Sequence, residues 1–227
     1  MARLKDGIFG MIVGKLGNLI SYDRLGENVV RMKTRKPKRK KPRTPAQQAV
    51  NIRFSLVKSF VSAGKDFISV GFAADVKGTT RIPENGAVSY NLKHAVIGEF
   101  PDFQLDFENV LVSKGKLPTP EYAAVTREGN LLKFTWSTTD HDSYPRNRDQ
   151  AMMFAYFPGT NDSVNTEFIT NGALRSKGQD ELDIGYHLEG ATYKTKKTSV
   201  EVYLAFISDD RKDVSNSLYL GNINLEE

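Results

Sequence analysis

The sequence predicts an α+β protein, mainly β, with its helices confined to the N-terminal part. Three observations carry this. The chain starts with a glycine-spaced, alternating stretch. A capped amphipathic run follows from Pro45. From about Phe103 onward, short apolar runs alternate with turn residues.

In the first stretch, Leu16-Gly17-Asn18-Leu19-Ile20-Ser21-Tyr22 alternates. Asp23-Arg24-Leu25-Gly26-Glu27-Asn28 is turn-like, and Val29-Val30-Arg31-Met32-Lys33 is again extended. This predicts a β-hairpin with a four- to six-residue loop. A two-stranded hairpin is marginal alone, so it requires the later domain or a second copy to dock on. Thr44-Pro45-Ala46-Gln47 is a helix start, with Thr44 as cap, Pro45 at the first helical position and Gln47 closing a capping box. Val50, Phe54, Val57 and Val61 then recur at helical spacing, which predicts a helix from Pro45 to about Ala63, with Gly64 ending or kinking it. Residues 75–86 read as a loop. A second helix is predicted over 87–97, with Val88, Leu92, Ala95 and Val96 on one face and Gly98 as its stop, and the two helices are expected to pack together.

Beyond it lie short runs at 105–113, 123–126, 131–136, 151–157, 164–169, 181–184, 200–207 and 217–220. That many short strands with turn residues between them predict an antiparallel β-sandwich of fibronectin type III-like or immunoglobulin-like layout. Trp136, the sole tryptophan, is expected between the sheets, with Tyr203 and Phe206 contributing to the same core. The predicted division is 1–102 for hairpin, basic strip and helices, and 103–227 for the sandwich.

The charge distribution is uneven. Residues 31–43 read RMKTRKPKRKKPR, with nine Lys or Arg and no acid, in a chain of formal net charge +5. Without those nine the remainder carries −4, so the protein is a mildly acidic body with one concentrated cationic strip. Such a strip repels itself unless a polyanion or an acidic surface faces it. Pro37 and Pro42 oppose a helix there and favour an extended, solvated segment. Lys33, Arg35, Lys36, Lys38, Arg39, Lys40, Lys41 and Arg43 are the candidate contacts to nucleic acid, another polyanion or an acidic protein surface. No aromatics interleave them, so base stacking is not indicated. A solvated linker is the plainer reading of the same run.

Other chemistry is sparse. The chain has no cysteine, which removes disulfides and thiolate sites. Gly10-Met11-Ile12-Val13-Gly14-Lys15-Leu16 lacks the spacing and the Ser or Thr of a phosphate loop. Asp140-His141-Asp142, with Asp149 nearby, reads as a sandwich loop rather than a metal site, since adjacent ligands do not converge. The three histidines show no metal or nucleophile spacing, and neither a catalytic residue nor a cofactor is expected. Exposed aromatics of the sandwich, Tyr144 and Tyr193 foremost, offer an alternative glycan-contact reading; an enzyme whose site forms only in the fold is the third. Glycines and Lys15 interrupt the apolar residues of the first twenty positions, so no signal peptide is recognised, and no run approaches a membrane span. A cytoplasmic protein is expected.

Several segments together resemble a family. They are Gly14-Lys15-Leu16-Gly17, the basic run into Lys41-Pro42-Arg43-Thr44-Pro45-Ala46-Gln47-Gln48, Arg53-Phe54, Ala87-Val88-Ser89-Tyr90-Asn91, Val112-Ser113-Lys114-Gly115, Phe134-Thr135-Trp136, Val202-Tyr203-Leu204-Ala205-Phe206 and Val214-Ser215-Asn216-Ser217. They look like an uncharacterised family of gut-dwelling anaerobic bacteria, over nearly the whole chain. The basic-Thr-Pro-x-Gln-Gln segment is also similar to segments in phage and mobile-element proteins. The resemblance transfers no functional residue. The resulting expectation is a non-enzymatic binding or assembly protein, with oligomerisation admissible.

Overall fold

The computed structural model describes residues 2–4, 10–34, 42–138, 146–159, 165–188 and 197–226. The chain divides into two units, Met1–Thr44 and Pro45–Glu227.

The first unit is a four-stranded antiparallel meander of β1 (Ala2–Leu4), β2 (Ile12–Leu16), β3 (Leu19–Arg24) and β4 (Glu27–Met32), in that order across the sheet. The predicted hairpin is therefore a larger sheet with tighter turns. Leu16 pairs with Leu19 and Arg24 with Glu27, so each turn holds two residues. Leu25 and Gly26 both take positive φ, 53° and 84°, the backbone of a type I′ turn. The longer loop read from the sequence failed because Asp23, Arg24, Glu27 and Asn28 are polar yet stay in the ladder.

The second unit begins with α1 (Pro45–Ala63), α2 (Lys65–Gly71), α3 (Ala73–Val76) and α4 (Pro83–His94). Helix α1 has the predicted bounds. Val57, Phe60 and Val61 are buried, whereas Val50 and Phe54 stay exposed. Helix α4 starts four residues before its predicted start, because extended Ile82 followed by Pro83 opens it. It also ends earlier. Val96–Ile97 forms β5 and pairs with β6 (Gln104–Leu105). The strand expected over 105–113 is confined to that short ladder. Two residues after it bond to side chains instead: Asn91 binds Leu111 through both N–H and C=O, and the Ser217 hydroxyl accepts from the Val112 N–H.

The remaining strands are β7 (Ala123–Glu128), β8 (Leu131–Trp136), β9 (Gln150–Tyr156), β10 (Thr166–Ile169), β11 (Gln179–Asp183), β12 (Ser199–Ile207) and β13 (Leu218–Asn224). They form two antiparallel sheets, β11-β8-β7 and β10-β9-β12-β13. The α+β class is as the sequence predicts, with helices early and antiparallel strands late.

Strands β9 and β12 are buried along nearly their whole length. A strand that alternates faces and is buried throughout has a core on each side. Ala151, Met153, Ala155, Val200, Val202, Leu204 and Phe206 face Leu132, Phe134, Trp136 and Leu182 of the three-stranded sheet. Met152, Phe154, Tyr203, Ala205 and Ile207 face Val57, Phe60, Val61, Phe67 and Ile68 of the helices. The body is thus three layers: helices, a four-stranded sheet, a three-stranded sheet. Trp136 lies between the sheets as expected, its ring centroid 5.5 Å from that of Phe206 and its indole N–H donating to Arg175 O at 2.7 Å. Tyr203 does not join that core. It points to the helix side, where Phe154 meets Phe67 at 4.9 Å and Phe60 at 6.3 Å.

Candidate polyanion and partner site

Of the cationic run, Arg31, Lys33 and Arg43 are described and exposed; Arg35, Lys36, Lys38, Arg39, Lys40 and Lys41 lie outside the described residues. Lys33 follows β4, and its backbone N–H donates to Asn18 O at 2.7 Å. Arg43 stands two residues before α1. Tyr144 and Tyr193 also lie outside the described residues, as does the Asp140-His141-Asp142 loop. Asp149 is buried, and no group of three acidic or imidazole side chains among the described residues is arranged to hold a metal.

The structure adds a second cationic locus that the sequence did not reveal. A groove of about 600 Å³ is lined by Ala74, Asp75, Lys77, Lys114, Gly115, Lys116, Lys212, Asp213 and Asn216. Its lysines come from three separate stretches of chain, which is why no linear pattern betrays it. Lys114 Nζ sits 2.7 Å from Asp75 Oδ1 and 5.6 Å from the Tyr90 ring centre. Lys212 Nζ is 3.0 Å from Asp210 Oδ2. Lys77 and Lys116 have no carboxylate partner among the described residues.

The groove wall is rigidly built. Ser113 Oγ donates to Ser215 O at 2.9 Å, and the Ser217 N–H donates to Ser113 O at 3.1 Å. The Gly115 N–H donates to Asn216 Oδ1 at 3.1 Å, and the Leu117 N–H to Val214 O at 3.0 Å. A Cβ on Gly115 would press on the Val214 carbonyl, and one on Gly71 would come within 2.6 Å of Val112 O, so both glycines serve close backbone approach. Two of the segments singled out in sequence, Val112-Ser113-Lys114-Gly115 and Val214-Ser215-Asn216-Ser217, are thereby stapled together. A third, ending at Asn91, holds the residue just before them.

A further polar group is buried beside β10. The His187 ring is fully buried and stacks on Phe157 at 4.2 Å. Its Nδ1 lies 3.0 Å from Lys197 Nζ and its Nε2 3.2 Å from Glu167 Oε2. An ammonium has only donors, so Nδ1 accepts and Nε2–H donates to Glu167. Burial, with the Lys197 charge second, holds His187 down at about 4, so the ring is neutral near pH 7. Burial also raises Glu167 above the ordinary carboxylate range. The three residues come from separate stretches of chain, so spacing gave no signal for them. Glu201, buried on β12, accepts from Tyr219 Oη and Asn222 Nδ2, each at 2.7 Å. Burial first, then the bond to Glu201, raises the Tyr219 phenol. Both groups have their polar atoms engaged with one another, the pattern of interior polar networks that fix packing. Among the described residues, no helix is long and apolar enough to cross a membrane.

The fold defines an α+β protein of antiparallel sheets with a helical layer on one face. The chain belongs to DUF6266, a family of unknown function, which it matches over residues 11–221. No curated protein and no solved structure matches it.

Proposed function

We propose that the protein is a non-enzymatic binding or assembly protein, whose basic run 31–43 engages a polyanion or an acidic protein surface and whose lysine groove supplies a second contact. The observation that carries this is the pairing state of the groove. Among the described residues, Lys77 and Lys116 lack carboxylate partners in a concave site whose walls are held by side-chain-to-backbone bonds. Two ammonium groups in a fixed cleft, beside Lys114 and Lys212 that are each held by an aspartate, attract anionic groups without first reorganising. Among the described residues no aromatic side chain lines the groove, so contacts to phosphates or carboxylates are favoured over base stacking. We propose further that β7–β13 follow the fibronectin type III plan. The first, second and fifth strands make one sheet, and the third, fourth, sixth and seventh the other. In this reading the sandwich is a scaffold and carries no reaction.

The test is fluorescence anisotropy with DNA and RNA oligonucleotides across a salt series. The wild type is compared with K38S/R39S/K40S/K41S and with K77S/K116S. Tight low-salt binding, lost in the first variant and weakened in the second with a shallower salt slope, is the expected result. Each lost phosphate contact lowers that slope by roughly 0.7 to 0.9. No binding at low salt excludes nucleic acid and leaves an acidic protein surface as the partner. Binding indifferent to both variants overturns the assignment.

A further inference from the structure

The meander of the first unit ends in an unused edge. Strand β4 is last in the sheet order, and no described strand pairs with its outer side. The direction of its free groups follows from the ladder. The Lys33 N–H donates to Asn18 O, so positions 18 and 33 form a bonded pair. Bonded and non-bonded pairs alternate in antiparallel ladders. Ile20–Arg31, Tyr22–Val29 and Arg24–Glu27 are therefore bonded pairs. The N–H and C=O groups of Asn28, Val30 and Met32 consequently point outward from the edge. A row of such groups is a template for another strand.

The same sheet also carries uncovered apolar surface, at β4 and the two strands beside it. Leu16, Leu19 and Met32 are cross-strand partners on one face, 58%, 40% and 73% exposed, and Val30 on that face is 55% exposed. The unit spans only Met1–Thr44 and has no disulfide, near the lower limit of about 40 residues for independent stability.

We infer that β4 pairs antiparallel with β4 of a second copy about a two-fold axis at Val30. The charges of the strand select a copy of itself. Glu27 stands at one end and Lys33 at the other, and neither has an ion-pair partner among the described residues. With Val30 opposite Val30, Asn28 faces Met32 and Glu27 faces Lys33, twice over by symmetry. A parallel arrangement would set like charges side by side. Register is fixed as well, because a one-residue slip would carry the apolar residues to the opposite face. The pairing also separates the cationic runs. Six residues at about 3.4 Å each place the two Lys33 positions roughly 20 Å apart, beyond the screening length of about 8 Å at physiological salt. The dimer then offers two cationic runs leaving opposite ends of one continuous sheet.

The experiment is light scattering coupled to size exclusion on the full chain, over a concentration series. Twice the 25.4 kDa chain mass is expected for the wild type at high concentration. Val30→Pro removes an outward N–H and leaves the ladder to β3 intact, so it should give a monomer with unchanged circular dichroism. E27K and K33E should each weaken the dimer about tenfold, and E27K/K33E should restore it. A wild type that stays monomeric, grows beyond a dimer, or remains dimeric as Val30→Pro overturns the inference. So does failure of the double variant to recover, which keeps the test decisive even if Val30→Pro does not fold.

Discussion

Asn91 offers the sharpest test of how the helical layer is joined to the loop beneath it. The side chain is fully buried. Its Nδ2 donates to Leu111 O at 3.0 Å, and its Oδ1 accepts from the Leu111 N–H at 2.9 Å. The amide thus replaces one rung of a ladder for a residue that belongs to no strand. Asn91→Asp keeps the shape and the acceptor but loses the donor. When ionised, it sets a carboxylate oxygen against the Leu111 carbonyl. Burial and that contact raise the new acid's folded pKa above the unfolded value of about 3.9. The folded state then holds the proton while the unfolded state releases it, so stability relative to wild type falls as pH rises above about 4. The fall is at most about 1.4 kcal/mol per pH unit, because the folded protein binds a proton rather than bear more. At pH 3 the acid hydroxyl can donate in place of the amide, and the cost should be about 1 kcal/mol. At pH 7 the ceiling is about 4 kcal/mol for ionisation. Urea unfolding followed by Trp136 fluorescence at a series of pH values gives the difference directly. A cost that is equal at pH 4 and pH 7, or below about 0.5 kcal/mol at pH 7, would refute the reasoning.

His187, whose folded pKa lies at about 4 against 6.5 for the free side chain, binds its proton more readily when unfolded. Its contribution is fully present above pH 6.5 and is lost as pH falls toward 4, about 3 kcal/mol in all. His187→Gln should flatten that limb of the stability profile in denaturant titrations; an unchanged limb would show that the ring is not the titrating group. Leu25 occupies a left-handed position at φ 53° with its side chain 62% exposed. Leu25→Asn should stabilise the meander by about 1 kcal/mol, read as slower amide exchange in residues 19–32, and no slowing would argue against the turn geometry.

Where structure is decided locally, the sequence was legible. Pro45 at the first helical position and the apolar spacing after it located α1 along its full length. The short runs after 120 located most strands within one or two residues, because turn residues bound them. The third layer was harder. The runs Ala151-Met152-Met153-Phe154-Ala155 and Val200 to Ile207 are apolar without alternation, the mark of strands covered on both faces, and a sandwich core alone accounts for only one of those faces. The region near 105–113 misled because its backbone is satisfied by Asn91 and Ser217, residues far away in sequence. The cationic run was visible as composition. The lysine groove was not, since positions 77, 114, 116 and 212 meet only after the helices, the loop and the β12–β13 connection are in place.

The doubly covered sheet has a consequence for how this protein can be cut, fused or recombined. Strands β9 and β12 lend alternate side chains to two cores, so neither neighbour of that sheet is an optional attachment. A fragment starting at residue 103 would bare Met152, Phe154, Tyr203, Ala205 and Ile207 together, an oily plane that invites precipitation. The strands are therefore not a portable cassette, and helices α1, α2 and α4 travel with them as part of one heritable block. The junction that respects this lies at Thr44, where the chain passes from one compact unit to the other.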